Sequence, residues 1–583
     1  MPMLMGINRH VGYVPLVEVQ LHLRIMQRIA ARIRRESVLL SVTILYAVTV
    51  SLVFPYLRYY VNNPDTISYL TIAEKYANGD FASAVNGYWS PMISWMLASL
   101  YLWIGNHILA FKVLQLLIGW FALYNFVRLV QFMIRSTVLR YIIVFASVPF
   151  IVSYSLLNLT ADLLFLSVVL FYLRVVSEKE FFNYRRFGVI AGVLGVLLYF
   201  SKSFGYGFFL AHFSVLLFRN YFVTKEYAFK KHLRENYFLA LIFFFLISST
   251  WVYLISVKYG HFTISENVYI NLSKEVAAGP GKENTLPVLS GGLYKPANTT
   301  AVNAWEDPGY AVKFTPIHPL ASKTDMQLYR QVLARNIMTI YYFDFRNQAG
   351  LIFILLLIII MFTGKRKKFW TDDYVFSVTI SLLFVYGGYS LILVHSRYTW
   401  VCILLMMLIS ARLLEELLSG KKFQRIVIPA AGFLLAALAI KRPVKEILFT
   451  EDKPILFSNL FKAVTHPVPV LKHTYHTDIQ FFKAINEMKK NIHPGENIIS
   501  FEEPNAERDC YTRSSLLAYL SGAKYYGQLT MQQDFSNEGS DLSKVQHIVA
   551  FSTPEIVTDS SGWKLAFNKE EIPLEIYSRK DEN

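Results

Sequence analysis

The chain alternates long apolar runs with short polar segments that are rich in lysine and arginine. A membrane-spanning helix needs about 20 consecutive, mostly apolar residues. Segments of this kind lie near residues 38–57, 107–127, 141–157, 159–176, 187–201, 204–220, 237–257, 349–363, 374–394, 398–418 and 426–440. The pattern predicts a polytopic α-helical membrane protein with about 11 transmembrane helices.

The basic residues predict its orientation, because cytoplasmic loops carry an excess of lysine and arginine. Every second connection is basic, and these connections contain Arg24 to Arg35, Arg128 to Arg140, Arg174 to Arg186, Arg219 to Arg234, Lys365 to Lys368 and Arg412 to Arg425. The alternate short loops offer only Arg58, Lys75, Lys202 and Arg397. We therefore expect the amino terminus to be cytoplasmic.

The last apolar segment leaves an alternative open. It is short, and Lys441 and Arg442 follow it on the side that should be external. If it does not cross, the carboxy-terminal domain is cytoplasmic. We favour crossing, because Lys421, Lys422 and Arg425 before it continue the alternation.

Three regions follow from this topology. Residues 1–36 are expected to form a cytoplasmic amphipathic segment, since arginines alternate with apolar residues at helical spacing. Residues 37–440 form a membrane module with outer loops at 58–106 and 258–347. Residues 441–583 are expected to form an extracytoplasmic α/β domain, with strand-like runs at 498–501, 547–551 and 574–577 and a helical pattern over 477–490.

Composition supports the membrane class and narrows the partners. Hydrophobic residues make up 54% of the chain, which exceeds the apolar share of ordinary soluble domains, and charged residues make up only 17%. The net charge of +16 comes from clusters between apolar runs, an arrangement that suits membrane lipids rather than nucleic acid. Cys402 and Cys510 form no disulfide framework, and neither they nor His473 and His476 have metal-ligand spacing.

A few ionisable residues collect at the outer ends of the predicted spans. They are Asp65, Asp162, Lys202, His395 and Arg397. Ionisable groups at membrane depth tend to mark substrate or ion sites. Each also has a simpler explanation: the cations can extend towards lipid headgroups, Asp65 can cap a helix at 66–78, and Asp162 can cap the fourth span with Thr160 as a competitor.

The order of these motifs resembles the GT-C glycosyltransferases, in particular the family 39-like branch with protein O-mannosyltransferases and the lipid A aminoarabinose transferase. The resemblance starts at Asp65, continues with Tyr69 and Trp89-Ser90-Pro91, and includes a span opening with Asp162 and a late span headed by Arg397-Tyr398. The plan of spans followed by an outer domain fits as well. One departure is Asp65-Thr66, where the family commonly has an Asp-Glu pair.

The resemblance implies transfer of a sugar from a polyprenyl-phosphate carrier to an acceptor hydroxyl on the outer face. Asp65 would be the general base, and Lys202 and Arg397, with His395 behind them, would stabilise the leaving phosphate. Asp162 would orient the acceptor or hold a cation. Tyr69, Tyr88, Trp89 and Trp305 would contact the substrate, although aromatic residues also serve as interfacial anchors.

No cofactor is required by this scheme, and a divalent cation is compatible with it without support from ligand spacing. The expected location is the bacterial inner membrane, with membrane lipids and a glycan, lipid or protein acceptor as partners. A transporter or lipid flippase is the main rival, although symmetric halves with broken helices are not evident. An O-antigen polymerase or ligase is a second rival.

Overall fold

A computed structural model describes residues 36–55, 57–178, 184, 186–223, 225–277, 292–311, 319–346, 350–365, 370–420, 424–450, 453–454, 485, 487–502, 509–530, 543–550, 563–569 and 572–579. Three predictions therefore lie largely or wholly outside the described residues. They concern the amino-terminal amphipathic segment, the helical pattern over 477–490, and the pair His473 and His476.

Helices dominate the structure. In chain order they are α1 (Glu36–Pro55), α2 (Pro64–Ala77), α3 (Phe81–Ala84), α4 (Pro91–Tyr101), α5 (His107–Met133), α6 (Thr137–Leu157), α7 (Asp162–Val176), α8 (Arg186–Ser201), α9 (Phe204–Val223), α10 (Tyr227–Tyr259), α11 (Glu266–Ala277), α12 (Pro308–Ala311), α13 (Lys323–Ile340), α14 (Gly350–Met361), α15 (Asp373–Ser390), α16 (Trp400–Leu418), α17 (Gln424–Leu448) and α18 (Asp509–Ser521). Short 3-10 helices cover Ala304–Glu306 and Ser396–Thr399, and a π-helix covers Tyr341–Arg346.

The apolar helices account for the membrane pattern. Within the described residues five helices, α1, α5, α6, α10 and α17, are long and apolar enough to cross a membrane, or six if Lys323–Arg346 and Gly350–Met361 form one bent span. Helices α7 and α8 have 15 and 16 residues, which is shorter than a straight crossing needs. The structure thus supports a polytopic helical protein, and the number of 11 spans stays a prediction.

The first outer loop folds into three helices, and its sequence explains where they begin. Asn63 caps α2 by accepting a hydrogen bond from the Asp65 N–H at 2.9 Å, and Pro64 occupies the first turn. Asp80 caps α3 through the Ser83 N–H. Helix α2 is buried along most of its length and packs against α4. This packing places the start of α2 inside the protein rather than in solvent.

The carboxy-terminal region contains the predicted α/β domain. Its strands are β4 (Asn497–Glu502), β5 (Lys524–Thr530), β6 (His547–Ala550), β7 (Trp563–Lys569) and β8 (Ile572–Arg579), and a two-stranded ladder joins β2 (Phe449–Thr450) to β3 (Lys453–Pro454). Strand β4 pairs in parallel with β5 and β6, and β8 pairs antiparallel with β6 and β7. Helix α18 packs against β4 and β5.

The second outer loop supplies an edge strand to this domain. Strand β1 (Gly292–Leu293) pairs antiparallel with β5, so the sheet order is β1-β5-β4-β6-β8-β7. The Tyr525 N–H donates to Val302 O at 2.7 Å, and Lys524 Nζ donates to Thr299 O at 2.6 Å. Helix α18 also packs against α2. The domain therefore lies on the same end of the helical bundle as α2.

Candidate active site

Asp65 lies in the first turn of α2, and its carboxylate is not used for capping. Asn63 serves as the cap, so both oxygens of Asp65 are available for other partners. Oδ1 accepts a hydrogen bond from Trp305 Nε1 at 2.9 Å, and Oδ2 forms an ion pair with Arg397. The residue is only 5% exposed. Asp65 is therefore a buried carboxylate held by one neutral and one charged donor.

Arg397 connects the two predicted acids. It lies on the 3-10 turn between α15 and α16, pairs with Asp65, and places Nε 3.3 Å from Asp162 Oδ2. Its Nη1 is buried and has no hydrogen-bond partner among the described residues. A guanidinium presents donors in a rigid fork. Arg397 thus keeps one N–H group available while it bridges two carboxylates.

Asp162 holds the second cation. It is the first residue of α7, where Ala161 stands at the cap position without a side-chain bond. Thr160 Oγ1 donates to Asp162 Oδ2 at 2.8 Å, and Lys202 pairs with Oδ1. The capping explanation for Asp162 does not hold in the structure, because its oxygens accept from side chains instead. Lys202, between α8 and α9, therefore lies beside the same carboxylate as Arg397.

The four charged groups balance one another in a shielded position. Two carboxylates face two cations, and their side chains are 6% to 16% exposed. Buried ions are costly unless they are paired and hydrogen-bonded. The Tyr398 ring lies 3.5 Å from Lys202 Nζ, measured to the ring centroid, and stacks on Tyr389. An incoming anion would therefore meet cations that carboxylates already engage.

The predicted aromatic residues form one wall of this site. Trp89 lies 5.1 Å from Tyr69, 4.6 Å from Tyr88 and 5.7 Å from Trp305 between ring centroids. All four are buried, so they do not act as exposed interfacial anchors. Burial raises the pKa of Tyr69 and Tyr88 well above the usual value, so both hydroxyls stay protonated. The wall contacts Asp65 through the hydrogen bond from Trp305 Nε1.

Three consecutive residues fasten the second outer loop to the first. Trp305 donates to Asp65, Glu306 forms a buried ion pair with Lys75 of α2, and Asp307 Oδ2 pairs with Lys258 Nζ at 2.7 Å. Burial raises the pKa of Glu306, and Lys75 opposes that effect. These three contacts were not predicted. The isolated Lys75 and the two acids beside Trp305 were the only sequence features that pointed to them.

His395 lies at the margin of the site. It is exposed, and its ring centroid is 5.4 Å from that of Tyr398. The structure therefore brings together eight of the nine predicted site residues directly, and His395 only through Tyr398. Among the described residues no group of three or more His, Cys, Asp or Glu side chains could hold a metal ion.

Comparison with known proteins gives structural similarities alone. No protein-family model and no curated protein sequence matches the chain. One similar solved structure is ArnT from Cupriavidus metallidurans bound to undecaprenyl phosphate, with a TM-score of 0.42 and 14% identity over 93% of this chain and 98% of that one. Another is the archaeal oligosaccharyltransferase AglB from Archaeoglobus fulgidus in complex with an inhibitory peptide and a dolichol-phosphate, with a TM-score of 0.45 and 11% identity over 88% of this chain and 69% of that one. The identities and TM-scores of both structures are too low to carry a substrate over to this chain.

Proposed function

We propose that the protein is a membrane glycosyltransferase that moves a sugar from a polyprenyl-phosphate carrier to an acceptor hydroxyl. One observation carries the proposal. Four ionisable residues from distant parts of the chain, Asp65, Asp162, Lys202 and Arg397, form a single buried ion-pair cluster beside an aromatic wall. Buried charge on this scale tends to mark a functional site rather than a stabilising feature.

The chemistry assigns a step to each group. Asp65 takes the proton of the acceptor hydroxyl while the hydroxyl oxygen attacks the anomeric carbon. The bond from that carbon to the phosphate oxygen breaks, and the carrier phosphate leaves with the electron pair. Lys202 and Arg397 stabilise the negative charge that the phosphate gains. A single displacement of this kind inverts the anomeric centre.

The observed pairing adds a condition to this mechanism. Both oxygens of Asp65 are engaged, one by Trp305 and one by Arg397. A base must have an oxygen free to accept the acceptor's proton. The donor phosphate competes for Arg397 and Lys202, so its binding draws Arg397 away from Asp65. Donor binding thereby frees an oxygen of Asp65 to accept the proton of the acceptor hydroxyl. Asp162 keeps its contacts with Lys202 and Arg397.

The same proposal includes the finer topology. The amino terminus lies in the cytoplasm, and about 11 spans then bring residues 441–583 to the extracytoplasmic side. The outer loops at 58–106 and 258–347 lie on that same side. The contacts of Lys524 and Tyr525 with the second outer loop support a common side for the domain and the site. A bacterial inner membrane provides polyprenyl-phosphate donors. No cofactor takes part in the steps above, and no divalent cation is invoked.

Asp65→Asn tests the proposed base. Asparagine keeps the size of the side chain but cannot accept the proton, and general-base help contributes about 100- to 10,000-fold in rate. Transfer from a radiolabelled polyprenyl-phosphate sugar to purified envelope acceptors should fall by that factor, while carrier phosphate still binds. Asp80→Asn is the matched control, since Asp80 caps α3 in the same loop and otherwise accepts an exposed bond from Thr300 Oγ1, and asparagine caps equally well.

The outcomes separate this proposal from its rivals. Full transfer by the D65N protein would remove Asp65 from the mechanism. A transporter or flippase would move labelled lipid between leaflets without forming a glycoside. An O-antigen polymerase or ligase would transfer preassembled glycans and would not depend on Asp65.

A further inference from the structure

Thr66 occupies the position at which the GT-C family that this sequence resembles commonly has an acid. In the structure its side chain forms a hydrogen bond across the protein. Thr66 is fully buried, and its Oγ1 donates to Leu159 O at 3.1 Å. Leu159 belongs to the short connection between α6 and α7, and Asp162 begins α7 directly after it. The hydroxyl thus joins the residue next to Asp65 to the segment that carries Asp162.

Helix α5 contributes one further donor to this connection and another to the last turn of α6. Gln115 Nε2 donates to Thr160 O at 2.6 Å, and Lys112 Nζ donates to Leu156 O at 2.5 Å. Both side chains are fully buried. Lys112 Nζ thus lies at the carboxyl end of α6, where a helix favours a cation.

The backbone carbonyls of this connection are thereby fully accounted for. The Thr160 N–H donates to Asn158 O at 3.1 Å, and the Phe165 N–H donates to Ala161 O at 2.9 Å. The other two carbonyls of residues 158–161, those of Leu159 and Thr160, accept from Thr66 and Gln115. Leu156 O, in the last turn of α6, accepts from Lys112. Buried carbonyls without partners are costly, so these bonds specify where the connection lies.

We infer that Thr66, with Gln115 and Lys112, is a positioning residue that sets Asp162 against Asp65 so that Arg397 spans both. The inference rests on the proposed function. Thr66 contacts no reacting atom in this scheme and acts through Leu159 O. A carboxylate at position 66 could not donate to that carbonyl when ionised. The threonine is therefore suited to this tether in a way that the acid common in the family is not.

Thr66→Val tests the tether, because valine keeps the shape and removes the hydroxyl. A displacement of about 1 Å can cost up to 100-fold in rate, so we expect kcat for sugar transfer to fall by roughly 5- to 100-fold. The KM for the donor should stay close to wild type, whereas the melting temperature should fall modestly, because the buried Leu159 carbonyl loses its donor. Thr66→Ser should restore kcat. Thr379→Val is the matched control, since the buried Thr379 hydroxyl has no hydrogen-bond partner among the described residues.

Amide hydrogen exchange over residues 156–162 gives a readout that does not depend on catalysis. T66V should speed exchange there, and T379V should not. Gln115→Leu should reproduce both effects if T66V fails to fold. Equal kcat and equal exchange in T66V and T379V would overturn the inference, as would a loss of kcat that T66S does not restore. If the unmodified protein transfers no sugar, the proposed function fails, and the exchange measurement alone then decides the tether.

Discussion

Arg397 offers the most direct test of the buried cluster, because it joins both acids. Arg397→Gln removes the bridging charge and leaves Asp65 and Asp162 with Lys202 as their remaining cation. Removing one partner of a buried pair typically costs about 3–5 kcal/mol of stability. Losing one group that stabilises a developing anion costs about 100- to 1,000-fold in kcat. R397Q should therefore lower both the melting temperature and the transfer rate.

The assay separates these two effects. Transfer from a labelled polyprenyl-phosphate sugar and the affinity for carrier phosphate are measured on protein whose melting temperature has been recorded in the same detergent. Arg397→Lys keeps the charge and loses the fork, so it should recover much of the stability and little of the rate. Arg330→Gln, at an exposed position of α13, is the matched control. Transfer by R397Q within threefold of wild type would refute the assignment of Arg397 to the leaving phosphate.

Two further predictions concern contacts of the loop at 258–347 with Asp65 and Lys75. Trp305→Phe keeps an aromatic ring in the wall and removes the N–H that holds Asp65 Oδ1, so the carboxylate loses a bond that orients it. A misplacement of about 1 Å can cost about 100-fold, so transfer should fall by up to that factor. Unchanged transfer by W305F, at equal carrier affinity, would contradict a role for that bond. Lys75→Met leaves Glu306 buried without its cation and should cost about 3–5 kcal/mol of stability at neutral pH. Because burial raises the pKa of Glu306 above its usual 4.5, the folded state favours the protonated acid, so this deficit should be smallest below that pH and grow as the pH rises. Melting temperatures from pH 4 to 8 check the trend, and a deficit independent of pH would contradict it.

Sequence reasoning reached the membrane class and the composition of the site, because both depend on local signals. Apolar runs of spanning length are visible in any one segment. Asp65, Asp162, Lys202 and Arg397 were visible because charges at span ends are rare and lie on one side of the predicted topology. The α/β domain followed from three strand-like runs, which the structure contains as β4, β6 and β8.

Side-chain partners were not predictable in this way. Trp305 was expected to contact the substrate or to serve as an interfacial anchor, and the structure shows that its N–H donates to Asp65. Lys75 was noted only as a basic residue in an outer loop, and its ion pair with Glu306 joins residues more than 200 positions apart. Such pairs depend on how two loops pack, which no periodicity in either loop encodes.

The sequence by itself predicted that this chain inserts in a membrane, and it identified the charged residues that lie at the ends of its apolar segments. Both properties follow from the free energy of placing apolar and charged groups in lipid. That free energy depends on the residues of one segment at a time, so it can be read from the sequence. Only the tertiary structure decided that Arg397 bridges Asp65 and Asp162, that Lys202 pairs with Asp162, and that Trp305 donates to Asp65. Those contacts arise when buried charges and carbonyls from distant segments must find partners in one another.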